Sequence, residues 1–556
     1  MRRPERIPGY RAEHPGLAGS RAARSGAALL LALGLLASPV APSQTGPTSA
    51  PATAPVDRSG PIALPDLGLR FGASAVAAAS SGLAISSDVR YLVQPDKRRI
   101  VVIADVAATN RLADTAASTW VFDRANLALL PGASRPKVTI AGPLPSGASA
   151  PSVSIRPSAS TYTLVSVVFG RLLRSGETIR FRLQYLLVDR GGDAARRIRV
   201  GGTAVAFPVW AIASSGTSGS TVTVVFPRGY EVSVAAGTLG PPTSSSTGDT
   251  ILRSGPLAKP ATFAAYVRGE RSVEHVVTLA STTVAGARVA LTFRAWPEEP
   301  EWSERLTPIF VDGLPLLATA IGLPFPGETL TIEESSDRGT GGYAGIYDTS
   351  TRTIRIAYDA STEVALHEAA HAWFNGSLLA ERWASEAFAQ VYAEGAERAL
   401  GLLPSGTIVT PPKPGRFPLN GWAPLGDATA EADALGYPAA AALGRAILER
   451  AGEAGLAVVW RAAAERRAAY QADPLGTEVA DPDPAPDWRV LLDLLEERTG
   501  AGFVDLWRDR VIRPEELGLL NERGAARRAY AALLERADGW RLPETLRRAL
   551  DAWQFE

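Results

Sequence analysis

The patterning of the chain changes near residue 300, and that change constrains the architecture more than any other feature. From about residue 63, short β-like runs at 99–104, 162–168, 179–185 and 221–226 are separated by Gly, Ser and Pro. The run 179–185 alternates apolar and polar residues, as a half-buried antiparallel strand does, and no long helical periodicity accompanies it. Downstream, 329–332 and 352–358 read as strands, the second with Ile354, Ile356 and Tyr358 on one face. Beyond 361 the sequence is rich in Ala, Leu, Glu and Arg at helical spacing, with loops at 404–428 and 472–488. The expected fold class is α+β and multidomain: an antiparallel β-sandwich region over 63–300, an α/β core over 301–400, and a mostly helical part over 401–556.

Composition narrows the partners. Hydrophobic residues make up 46% and charged residues 21%, the balance of a soluble globular protein. Formal net charge is zero, and removing 1–41 takes away six Arg and two Glu, leaving about −4. So balanced a chain has no broad field for nucleic acid or an anionic membrane surface. Cysteine is absent, which excludes disulfides, thiolate metal ligands and a cysteine nucleophile. At the start, Arg2, Arg3, Arg6, Arg11, Arg21 and Arg24 precede the apolar run 27–37 and the small residues of Ser38-Pro39-Val40-Ala41. That run is shorter than the about 20 residues that span a bilayer, so 1–41 reads as a signal peptide, removed or kept as an N-terminal anchor. The Pro-, Thr-, Ser- and Ala-rich stretch 42–62 reads as a flexible linker. The chain is expected to be secreted or extracytoplasmic, with no membrane span in its mature form.

Chemistry concentrates in one place. Of four histidines, His14, His275, His367 and His371, two lie four apart with an acid beside the first: His367-Glu368-Ala369-Ala370-His371. On a helix, positions i and i+4 share a face, so both imidazoles reach one ion. Zinc suits neutral imidazole, with bonds of about 2.0–2.1 Å. Glu368 stands about 100° round the helix, close enough to touch a metal-bound water without ligating the metal. The metal lowers that water's pKa to about 7, and the carboxylate accepts its proton as it attacks a carbonyl. Asp359 or Ser361 can cap the helix, Glu363 suits its first turn, and Asn375-Gly376 is a suitable stop. A third ligand has to come from the next helical segment, where Glu381 and Glu386 are the available carboxylates. Gln390, one turn beyond Glu386, is either an orienter of a ligand imidazole or a solvated helix-face residue. A histidine pair packed in a helix without metal is the plain alternative. For a serine hydrolase only His275 remains in the mature chain, and no G-x-S-x-G turn accompanies it.

His367 to Phe374 and Trp383 to Ala389 (WASEAFA) resemble the aminopeptidase N branch of the gluzincins, the peptidase MA-like zinc metallopeptidases, whose signatures read HExxHxWF and WLNEGFA. The resemblance implies a thermolysin-like catalytic core with one Zn2+, held by His367, His371 and Glu386, and Glu368 as general base. Here 14 residues separate His371 from Glu386, where the family typically has about 18, and the shorter connection falls at 377–382. Glu381 lies in that connection, outside the resemblance. The family also places an oxyanion-stabilising tyrosine some 50 residues past the metal-binding Glu, which implies that role for Tyr437 in Gly436-Tyr437-Pro438-Ala439-Ala440-Ala441. The family's GxMEN segment, whose Glu binds a substrate's free amino group, finds only 341–348, which keeps glycines and an edge-strand pattern but no Glu. Such a strand can still pair with an extended peptide.

The function expected is a secreted zinc-dependent metallopeptidase acting on a peptide or protein substrate, with endo- or exopeptidase action left open. The alternative is a non-enzymatic secreted β-sandwich binding protein with a structural or relict metal site, against which an intact Glu368 counts.

Overall fold

Strict alternation builds the first half. Along Thr178–Val188, Ile179, Phe181, Leu183, Tyr185 and Leu187 are buried while Arg180, Arg182 and Gln184 face solvent. That strand sits in a seven-stranded sheet of spatial order 243–244, 250–253, 221–226, 83–94, 99–110, 178–188, 134–140. Its pairings are antiparallel except that Leu83–Gln94 runs parallel to Thr221–Phe226. The buried face shares one core with a four-stranded and a three-stranded antiparallel sheet, through residues such as Tyr91, Phe169, Phe207 and Phe226. The computed structural model describes residues 82–555 apart from 117, 141–146, 157–161, 191–197, 337–342, 359, 403–409, 426, 471–484 and 539–541, so the expected signal segment and linker lie outside the described residues. Among the described residues no helix is long and apolar enough to cross a membrane.

A second core begins before residue 300. The hairpin Val276–Val284 and Ala287–Ala295 falls within the stretch expected to be β-sandwich, yet it pairs elsewhere. It continues into Thr329–Ser335, Thr353–Ala357 and the edge strand Gly345–Asp348 to make a five-stranded mixed sheet. Val284, Val289, Leu291 and Phe293 pack with the helices, not with the first core. Four of those helices matter for the site: α1 (Pro300–Ile321), α2 (Thr362–Ala370), α3 (Arg382–Ala399) and α4 (Ala430–Ala464). Behind the site an aromatic cluster clamps α3, α4 and the turn after α2 together. Phe374 stacks on Tyr392 at 5.2 Å and meets Trp460 edge-on at 5.3 Å, while Phe388 meets Trp460 at 4.4 Å and Trp460 Nε1 donates to Tyr392 OH at 2.8 Å.

The two cores meet at a buried cation. Arg199, on a short strand of the first, is fully buried and paired with Glu299, which precedes α1. Its guanidinium lies over the rings of Trp296 at 5.1 Å and Tyr358 at 4.7 Å, both from the second core's side. Glu298 adds a clasp, accepting the Thr203 N–H at 2.5 Å and the Thr203 hydroxyl at 2.9 Å. Glu334 takes the Trp296 N–H at 2.8 Å, and burial pushes its carboxyl up to about 8. Removing Arg199 takes away the buried guanidinium of this joint and leaves Glu299 only the part-exposed Arg98 at 3.8 Å, and breaking a buried pair by removing one partner costs more than the pair itself contributes. Arg199→Met is therefore expected to lower unfolding free energy by about 3–5 kcal/mol, read from urea denaturation.

Candidate metal centre

The strand Thr353–Ala357, which lies beside the edge strand of the five-stranded sheet, leads directly into the metal-ligand helix. Ser361 caps α2, its Oγ accepting the Val364 N–H at 3.3 Å; Asp359, the other expected cap, lies outside the described residues. The helix stops sooner than the Asn375-Gly376 signal predicts. It ends at Ala370 with His371 as C-cap, because the Asn375 side chain donates to the carbonyls of His371 and Ala372 at 2.9 and 3.1 Å and replaces further helical bonds. The chain then turns through 371–381 and re-enters helix at Arg382, which brings Glu386 back over the two histidines.

His367, His371 and Glu386 are the metal-ligand group that converges: their ligating atoms all lie within 4.8 Å of one another. Glu381 is not among them. Both imidazoles have their second nitrogen committed. His371 Nδ1 donates to the Phe374 carbonyl at 2.8 Å. His367 Nδ1 lies 3.1 Å from Gln390 Oε1, and the orientation of that amide is fixed because its Nε2 donates to Glu363 at 2.5 Å and Glu394 at 3.0 Å. Two carboxylates thus set the amide, the amide sets the tautomer, and the Nε2 lone pair is left for a metal. The three facing atoms are separated by 3.1 Å (His371 Nε2 to His367 Nε2), 3.2 Å and 3.5 Å (each Nε2 to Glu386 Oε2). Bonds of about 2.0–2.1 Å at tetrahedral angles separate ligand atoms by about 3.3–3.4 Å, so the donor set fits a zinc ion. Its electrostatics ask for positive charge. Burial opposes charge on His371, yet the Glu386 carboxylate overrides it and raises His371 to about 9. Burial likewise works against an ionised Glu386, and the facing imidazoles of His371 and His367 still hold its carboxyl far below the usual range.

Glu368 is buried beside the pair and tucked under the edge strand. Burial pushes its carboxyl up, against the pull of His371 and His367, and it accepts the backbone N–H of Tyr347. The Ala344 carbonyl bonds Ala357 across the sheet, so by alternation Gly345 and Tyr347 turn their backbone groups to the open edge above Glu368. Contact there requires glycine: a Cβ on Gly345 would stand 2.5 Å from Glu368 Cγ. The one acid on this strand, Asp348, is bound to Ser350 at 2.6 Å and 2.9 Å.

Tyr437 lies in the first turns of α4, and the residues that hold it were not singled out by sequence. Arg382, one turn before Glu386, donates from Nη2 to Tyr437 OH and from Nη1 to Asp433, both at 3.0 Å. Its guanidinium also lies 4.0 Å from the Trp422 ring centroid, and its Nε is 3.9 Å from Glu386 Oε1. Trp422 Nε1 donates to the same Asp433 at 2.9 Å, and a Cβ on Gly436 would strike the Trp422 ring at 2.3 Å. The available signal was an arginine at i−4 from the proposed ligand, on a helix that is otherwise apolar there. Burial and the Glu386 carboxylate push the Tyr437 hydroxyl well above its ordinary value, so it keeps its proton. The fixed Gln390 amide yields a direct test: Gln390→Leu is expected to weaken zinc binding about 10–100-fold with the fold intact, measured by chelator competition.

No protein-family model and no curated protein matches the chain. The solved structures it is similar to include an M1 zinc metallopeptidase from Deinococcus radiodurans, at 19% identity over 78% of this chain and 95% of that one, with a TM-score of 0.31. A mutant of that enzyme bound to a Tyr-Ser-Ala substrate is similar at 18% identity, over 78% and 96% of the chains, with a TM-score of 0.28. Likeness at this level carries no argument about the chemistry, which rests on the residues themselves.

Proposed function

We propose that the chain is an extracytoplasmic zinc-dependent peptidase with a thermolysin-like core. The observation that carries this reading is the convergence of His367 Nε2, His371 Nε2 and Glu386 Oε2 with a buried, non-ligating Glu368 immediately beside them. A structural metal site has no use for that fourth group. Export rests on the sequence of 1–41, and the division into a β region, a catalytic core and a helical C-terminal part is proposed on the same footing.

Zinc held there would acidify a water to a pKa of about 7 and polarise a carbonyl. Glu368 accepts the proton of the attacking water and returns it to the leaving amine; the carboxyl is suited to both because burial favours its neutral form and the neighbouring imidazoles its charged form. Gly345 and the carbonyl of Tyr347, whose N–H is held by Glu368, offer an extended substrate the open edge of the sheet. Tyr437 supplies an O–H to the oxygen that becomes negative, and Arg382 aims it by occupying a lone pair of that hydroxyl. The described edge strand carries no Glu to hold a substrate's α-amino group, and Oδ1 of its one acid, Asp348, is turned to Ser350, which favours cleavage within chains.

Metal analysis and peptide-library cleavage of wild type and Glu368→Gln test the reading. One zinc per chain is expected in both, with cleavage falling by about 10²–10⁴ in the variant; a wild type that takes up no zinc on reconstitution would end it. Tyr437→Phe and Arg382→Met are expected to lower kcat by about 10²-fold or more while KM changes little, in steady-state assays on one peptide.

A further inference from the structure

A cavity of about 560 Å³ opens beside His371, within the range of about 300–1,000 Å³ typical of ligand sites. Its wall is mixed, with Trp383, Trp422 and Trp488 set among aliphatic and polar residues, and it carries two carboxylates and two guanidiniums. Three of those four charges are met locally. Arg382 pairs with Asp433 at 3.0 Å, and Arg513 and Glu516 pair with each other at 2.7 Å. Glu381 is the exception. It accepts the Trp488 backbone N–H, but its Oε2 is buried with no hydrogen-bond partner among the described residues. It caps α3 by position without a side-chain bond to the helix, and the metal cluster takes Glu386 instead. Neither the metal centre nor the helix terminus uses this carboxylate.

We propose that the cavity is a substrate subsite for a cationic side chain, lysine or arginine, next to the bond that is cut, with its stem between the indole rings and its head on Glu381. The proposal rests on the peptidase reading only in calling the ligand a substrate. Its chemistry follows from the wall. Indole faces attract a desolvated cation, and a long alkyl stem satisfies the apolar lining while carrying charge to the far end. A neutral apolar side chain of the same length would fill the space and leave a buried oxygen unmet, and sites of that kind reject ligands lacking the polar group most strongly. Burial pushes the Glu381 carboxyl up to about 7, with Asp487 adding to the rise, and the Arg489 guanidinium, itself paired with Asp487, opposes it without restoring the ordinary value.

The test is a calorimetric titration of the full zinc-loaded chain with Nα-acetyl-lysinamide and with its neutral isostere Nα-acetyl-norleucinamide. Wild type is expected to bind the lysine probe at least about tenfold more tightly than the isostere. Glu381→Gln is expected to abolish that difference, and Glu381→Asp, which keeps the charge and shortens the reach, to retain part of it. Equal affinity for the two probes in wild type, detectable or not, overturns the proposal, as does a lysine preference that survives in Glu381→Gln. Neither arm needs hydrolysis: a cation preference in a chain that cuts no peptide leaves the site standing and removes the peptidase, whereas cleavage indifferent to lysine and arginine does the reverse.

Discussion

Two imidazole lone pairs and a carboxylate oxygen held 3.1–3.5 Å apart repel one another unless positive charge lies among them. Everything near the site resists that repulsion. The rings cannot swing away, because each Nδ1 is tied to an acceptor. The helices cannot slide apart, because Phe374, Phe388, Tyr392 and Trp460 interlock behind them. The third ligand cannot drift, because the buried face of α3 is anchored by Trp383 and Phe388. A scaffold this stiff is what metal selectivity and a fixed ligand geometry require.

Around that centre, charge is handled by chains of neighbours, not by isolated pairs. On one side the order runs Arg445, Glu394, Gln390, His367, so that a surface guanidinium ends up fixing an imidazole tautomer. On the other it runs Asp433, Arg382, Tyr437, so that a buried carboxylate ends up orienting a phenol. Neutralising each charge along the way keeps buried polar groups tolerable in a low-dielectric interior.

The ligand set was legible because helical spacing is local: His367 and His371 are one turn apart, and Glu386 follows in the next helix. The strands were legible for the same reason, since alternation marks each face; 221–226 coincides with its run, and Ile354 and Ile356 are both fully buried. Alternation does not name a partner, however, so the placement of the 276–295 hairpin in the second sheet could not be read. Nor could the contacts of Arg382 with Asp433 and Tyr437, which lie 51 and 55 residues away and follow no period. The early end of α2 was missed because it depends on which carbonyls the Asn375 amide reaches, a matter of local geometry. Glu381 entered as a rival metal ligand by its position in the connection, outside the family resemblance, and the three-dimensional turn brings Glu386 to the histidines instead.

The buried Arg199 also bears on the order of assembly. During synthesis the strands of the first core precede residues 296–299, and domains generally fold as units from the N-terminal end. At that stage the guanidinium lacks Glu298 and Glu299, the carboxylates it pairs with, and hydration keeps it facing water. The first core must therefore hold together while carrying a wet cation on the face that will later be covered. Closure waits for Glu299, and with it for Trp296 and the start of α1. An apolar joint could close on any passing hydrophobic surface; a cationic one discriminates, and so delays docking until the right segment has been made.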